Sequence, residues 1–277
     1  MPTEELLKIL LQTNQLLQKT SNLSDEDIIK EAINYFKENK KEILKFFLKN
    51  EQSKNHLILT AGASGVGKSE FVKNLNKKYN YNVVDIDEIR KIFPFYSGQN
   101  ASLFQKPSIK VVEYLVDYFF KHNLSFIIDS NLASFKVAQK NIERALKRNY
   151  KIDIYFLYRD YHKCKEYTKI REEKEGRKVN DEVFNKKAEN SLLVIKEIIN
   201  TYYDNDNVSI YINEIDKQQF FLEKTQMLKK IDEYFENLKN FLQFEYMKNL
   251  GIEIKSLNEV EIKELDNKPN QNKKPKP

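Results

Sequence analysis

The sequence predicts an α/β fold: a five-stranded, mostly parallel sheet sandwiched by helices, with extra helices at both termini. Three observations predict it. Five short apolar runs alternate with stretches of helical periodicity, the pattern of parallel strands joined by crossover helices. Two of those runs stop at a carboxylate, Asp87 and Asp129, which gathers chemistry at the carboxyl ends of the strands. Three of the chain's six glycines fall in one loop, Gly62-Ala63-Ser64-Gly65-Val66-Gly67-Lys68-Ser69, between the first run and the helix that follows it.

The elements follow in order. Residues 3–19 read as a helix with a leucine-rich face of Leu6, Leu7, Leu10, Leu11 and Leu17. Ser24 is the N-cap of a second helix, with Asp25, Glu26 and Asp27 in its first turn where negative charge is favoured. Ile28, Ala32, Phe36, Ile43 and Phe47 carry that helix as one amphipathic element to about residue 48. The strands are expected at Leu57–Ala61, Asn82–Asp87, Ser125–Asp129, Ile152–Tyr158 and Val208–Ile212. Between them lie the helix after the glycine loop, an aromatic loop at Phe93–Gly98, and helices at 108–121 and 135–148. A polar helix at 161–174 comes next, then a turn at Gly176-Arg177. Asp181 caps a helix whose Phe184, Ala188, Leu192, Ile195 and Ile199 share one face. From about residue 215 a last long helix shows Ile231, Phe235, Leu238 and Leu242, and Gly251 marks its end. The expected division is an N-terminal helical extension at 1–24, a main domain at 25–215, a long helix at 216–250 and a largely disordered, asparagine-, lysine- and proline-rich tail at 251–277.

Composition excludes several classes. Hydrophobic residues make up 40% of the 277 residues and charged ones 32%, enough for a core beneath a highly charged surface. The net charge of +6 suits small anionic ligands, while the scattered lysines argue against nucleic acid. A single cysteine, Cys164, excludes an internal disulfide and a cysteine-based zinc cluster, and fits a reducing cytoplasm. No run approaches the ~18 apolar residues of a membrane span. His56, His122 and His162 stand apart, without acids at metal-ligand spacing.

The glycine loop reads G-x-x-x-x-G-K-S in a strand–loop–helix context, which makes it a phosphate site of the P-loop NTPase fold. Glycines let successive backbone N–H groups turn toward phosphate oxygens, and the helix N-terminus adds roughly half a positive charge. Lys68 is placed for the β- and γ-phosphates and Ser69 for Mg²⁺. Asp129 ends its strand as a second Mg²⁺ ligand would, and Asp87 suits a base for an attacking hydroxyl. Arg90 lies beside it. Arg171 and Arg177 flank a glycine turn after the fourth strand, where small P-loop kinases keep an arginine lid.

These pieces together resemble the zeta toxin family, P-loop kinases of bacterial toxin–antitoxin systems. The resemblance rests on GASGVGKS at 62–69, VVDIDEIR at 83–90 with Pro94, Glu113, FIID at 126–129, and Arg171 with Gly176-Arg177. It covers residues 25–215 and implies ATP (or GTP) as phosphoryl donor, Mg²⁺, and a hydroxyl of UDP-N-acetylglucosamine as acceptor. It implies Asp87 as base and Glu113, Asp129 and Asn131, with Asp87 and Arg90, as substrate-binding residues. The family's third-strand acid is followed by Gly-Thr; here Asp129-Ser130-Asn131 stands in its place. The resemblance also implies an antitoxin over the ATP site, supplied by a separate protein or by the helix at 3–19. Two other readings stay open: a P-loop kinase for a nucleoside, polynucleotide end or antibiotic hydroxyl, and a nucleotide-binding switch without transfer chemistry. A GTPase switch lacks its N-K-x-D guanine motif.

Overall fold

The computed structural model describes residues 23–51, 54–176 and 179–250. The expected helix at 3–19 and the tail beyond 250 lie outside the described residues. The chain divides into two compact units, residues 1–238 and 239–277.

Six strands form one sheet in the order β2-β3-β1-β4-β5-β6. They are β1 (His56–Ala61), β2 (Asn82–Asp85), β3 (Phe126–Asp129), β4 (Lys151–Tyr158), β5 (Val208–Glu214) and β6 (Gln219–Phe221). The first five run parallel, and β6 is antiparallel to β5. Side chains alternate between faces along a strand. Leu57, Ile58 and Leu59 of β1 are nonetheless all buried, so both faces of the sheet are covered. On one face Ile58 and Ile127 pack with Val72 and Tyr81. β1 sits between β3 and β4, and its carboxyl end delivers the glycine loop to the middle of the sheet edge.

The helices are α1 (Asp25–Glu38), α2 (Lys40–Phe47), α3 (Lys68–Tyr79), α4 (Ile86–Lys91), α5 (Gln105–Lys121), α6 (Phe135–Leu146), α7 (Tyr161–Glu175), α8 (Asp181–Tyr202) and α9 (Lys224–Asn249). Ser24 caps α1 in a capping box with Asp27, as its sequence implies. Four expectations change. The single helix to residue 48 breaks at Asn39, whose side-chain amide donates to the Tyr35 carbonyl and competes with the helical ladder. Asn180, not Asp181, caps α8, accepting from the Glu182 amide. The second strand ends at Asp85 rather than Asp87, because Asp85 turns to cap α4 and its carboxylate accepts from the Asp87 amide at 2.8 Å. The helix expected from residue 215 starts only at Lys224. A 3₁₀ turn at Ile215–Lys217, a left-handed Gln218 and the three-residue β6 come first. Three residues are too few to show alternation, which is why the sixth strand is silent in the sequence.

Candidate active site

The loop between β1 and α3 is built so that glycine is required at its start and middle. Gly62 has φ +128° and a Cβ there would meet the Leu157 carbonyl of β4 at 2.4 Å. Its amide donates to the buried Ser191 hydroxyl of α8 at 3.0 Å. Gly65 has φ +76° and a Cβ there would lie 2.1 Å from the Cys164 carbonyl and 2.7 Å from the Thr168 hydroxyl, both on α7. The loop is therefore wedged between β4 and α7. Ala63, Ser64 and Val66 complete it, with the Val66 amide donating to the Ala63 carbonyl at 3.4 Å. Gly67 is the N-cap of α3 and supplies no side-chain cap. The first amides of α3 thus face the loop, which is the geometry that binds an anion. Lys68 Nζ donates to the Gly62 and Ala63 carbonyls at 3.0 and 2.8 Å, held directly over the loop.

Carboxylates arrive from β2 and β3. Asp129 ends β3, is buried, and accepts from Thr60 at 2.8 Å and from Ser69 at 3.3 Å. Burial pushes its pKa up, and Lys68 and the two hydroxyls oppose that. Asp85 is its register partner on β2. Burial, then the neighbouring charges of Asp129 and Asp87, push the Asp85 pKa up to about 7. The exposed Ser69 hydroxyl and the buried Asp129 carboxylate, with the Asp85 carboxyl nearby, form a hard-oxygen set that fits Mg²⁺.

Asp87 sits in the first turn of α4. Arg90 Nη1 lies 2.7 Å from one carboxylate oxygen and Arg171 Nη2 3.5 Å from the other. Arg90 is only 4% exposed and also donates to Gln105 at the start of α5. It braces Asp87 from behind. Asn131 contributes its backbone carbonyl, 3.5 Å from the Gly62 amide. Glu113 is exposed on α5, eight residues into the helix and so roughly 12 Å along its axis from the end that carries Gln105. Among the described residues, no hydrogen bond or ion pair joins it to the cluster. Arg177 lies outside the described residues. Among the described residues no group of three or more His, Cys, Asp or Glu is arranged as a metal cluster.

α7 crosses the site. Its Cys164 and Thr168 back the glycine loop, its Arg171 reaches Asp87, and a Cβ on its C-cap Gly176 would lie 3.5 Å from the Ser97 carbonyl of the aromatic loop. Three residues escape the sequence reading. Cys164 looks incidental there, yet with Tyr161, Thr168 and Arg171 it keeps a 3-4-3 spacing that marks the inward face of α7. Asp85 is signalled by its place just before a helical pattern. Arg159, at the carboxyl end of β4, satisfies the strand-end rule that picks out Asp129.

Such a loop receives the phosphates of a nucleoside triphosphate. Fold and site together define a P-loop kinase. The zeta toxin profile matches residues 40–226, and the chain belongs to the zeta toxin family. In a direct sequence comparison no curated protein matches it. Among solved structures it is similar to the PezAT chromosomal toxin-antitoxin system of Streptococcus pneumoniae, with TM-score 0.51 and 16% identity over 80% of this chain and 98% of that one. It is also similar to the native AvrRxo1-ORF1:-ORF2 complex, with TM-score 0.51 and 14% identity over 74% of this chain and 78% of that one. At these identities the likeness concerns the fold.

Proposed function

We propose that the chain is a growth-inhibiting kinase that moves the γ-phosphoryl group of ATP (or GTP) to a hydroxyl of UDP-N-acetylglucosamine or a related sugar nucleotide. The observation that carries this reading is the contact of Arg171 with Asp87 beside the Lys68 loop. It joins a donor-side cation to an acceptor-side carboxylate, which a switch or scaffold would not need.

The chemistry follows from the residues. The loop amides and Lys68 hold the β- and γ-phosphates. Asp87 accepts the proton of the attacking hydroxyl as its oxygen bonds to the γ-phosphorus and the bond to the β–γ bridging oxygen breaks, leaving the nucleoside diphosphate. Asp87 cannot do so while Arg171 holds it. Arg171, a third exposed, turns to the transferring group when a donor is bound and releases the base. Arg177 is proposed for the same duty. Arg90 keeps Asp87 in place. Ser69 and Asp129 would hold Mg²⁺, which when bound supplies positive charge to the triphosphate. Asn131 is proposed to meet the acceptor from the β3 side.

A second reading has its own support. The exposed position of Glu113 and the Asp129-Ser130-Asn131 triplet leave room for another hydroxyl acceptor, such as a nucleoside. Incubation with Mg-ATP and a panel of sugar nucleotides, nucleosides and oligonucleotides, read by mass spectrometry, separates the two. The proposal expects one added phosphoryl group on UDP-N-acetylglucosamine, and transfer confined to a nucleoside would sink it. Depletion of a cell-wall precursor in the cytoplasm would poison a bacterium, so expression should arrest growth and Lys68→Ala should abolish the arrest. An antitoxin, separate or formed by the residues before 25, is the proposed restraint on this activity.

A further inference from the structure

One charged cluster beside the loop has no part in the scheme above. Arg159 follows β4, and its Nε donates to Asp216 at 3.0 Å. Lys163, in the first turn of α7, holds the other Asp216 oxygen at 3.0 Å. The Arg159 guanidinium lies 4.9 Å from the centre of the Tyr167 ring, a side chain 45% exposed. Its Nη1 is 3.8 Å from the point that a Cβ on Gly67 would occupy. An arginine fixed at Nε by a carboxylate and flanked by an aromatic ring is preorganised, and here its remaining end meets the edge of a phosphate loop. Two cations, Arg159 and Lys163, share the Asp216 carboxylate, and Asp160 caps the same turn of α7.

The strand order says which end of the donor comes here. β2 and β3, on one side of β1, bring Asp85, Asp87 and Asp129 to the loop. The transferred phosphoryl group therefore faces that side. β4 and the turn after β5, on the other side, bring Arg159 and Asp216. With the β- and γ-phosphates in the loop, the rest of the donor leaves toward β4 and β5. We infer that Arg159 binds the α-phosphate end of the nucleotide donor, with Asp216 and Tyr167 as the residues that position its guanidinium. This inference rests on the donor-loop reading above and adds the half of the nucleotide that the glycine motif leaves unaddressed.

Calorimetric titration of the full chain with ATP and, separately, with inorganic pyrophosphate tests it, because pyrophosphate fills the loop without reaching Arg159. Arg159→Ala should weaken ATP binding about tenfold or more, the loss of a hydrogen bond to a charged group, and change pyrophosphate binding less than about twofold. Asp216→Asn should weaken ATP binding by a smaller factor, again sparing pyrophosphate. Equal losses for both ligands would overturn the assignment, as would unaltered ATP binding by Arg159→Ala. Should that variant fail to fold, Tyr167→Ala at its exposed position carries the test, with a several-fold loss specific to ATP expected and no difference between the ligands contradicting it. If the unaltered chain binds pyrophosphate but not ATP, this inference fails alone. If it binds neither, the donor-loop reading fails as well.

Discussion

Gly65 has no room for even a methyl group. Its positive φ and the Cys164 carbonyl, 2.1 Å from any Cβ, both exclude one. Gly65→Ala should therefore push the loop and α7 apart, lowering the melting temperature and removing ATP binding in a titration. Cys164, beneath that glycine, is fully buried, and burial pushes its thiol pKa up to about 12. Iodoacetamide at pH 8 should leave it unmodified in the folded chain and label it on unfolding, because the thiolate is the reactive form. Asp85 acts on the site through Asp87. Its carboxylate caps α4 and fixes the first turn in which Asp87 sits. Asp85→Ala should cost about 1 kcal/mol of stability, read by denaturant unfolding, and Asp85→Asn should restore most of it.

At the scale of elements, α7 shows what a sequence can and cannot announce. Its composition reads as a solvated polar helix, since among its described side chains only Tyr161, Cys164 and Thr168 are buried, with Arg171 half-buried beyond them. A stripe one residue wide, with a threonine and an arginine in it, does not register as amphipathic, yet it lies along the whole cleft. The segment after β5 was hidden for another reason. The periodic apolar residues of α9 suggest a helix reaching back to residue 215, but Glu214 demands a different path. Burial pushes the Glu214 pKa up, and its contacts with Lys217 at 2.9 Å, Tyr234 at 2.8 Å and Lys230 at 3.4 Å outweigh that and hold it below the usual carboxylate range. A carboxyl whose folded pKa is depressed contributes stability above its unfolded value of about 4.3, and that contribution is lost as the pH falls through the folded value. Urea unfolding midpoints should therefore drop as the pH falls from about 5 to about 3, and Glu214→Gln should flatten part of that slope.

At the scale of the molecule, the α/β class and the place of the site were legible because they follow from one topological rule. Parallel strands joined by helices send their carboxyl ends to one edge, and residues there meet whatever binds. Gly62–Ser69 and Asp129 come from that rule directly. Asp87 comes from it with an error of two residues, since the strand stops at Asp85. Arg159 and Asp216 obey the same rule on the other side of β1 but belong to no named motif. Arg171 follows from its place after the fourth strand, but its reach to Asp87 depends on how α7 lies across the sheet edge, an angle that residue spacing does not carry. All of the described site residues fall within the first compact unit, residues 1–238. Among the described residues no helix is long and apolar enough to cross a membrane.

The central claim is that Asp87 is the base of a phosphoryl transfer whose donor is held by the Lys68 loop. The most direct measurement compares Asp87→Asn with the unaltered chain, following phosphorylated UDP-N-acetylglucosamine by mass spectrometry and ATP affinity by calorimetry. The asparagine keeps the shape and can still meet Arg90 through its amide oxygen. The account predicts transfer reduced by roughly 10²–10⁴-fold with ATP binding preserved within a few-fold. Undiminished transfer by Asp87→Asn would contradict it.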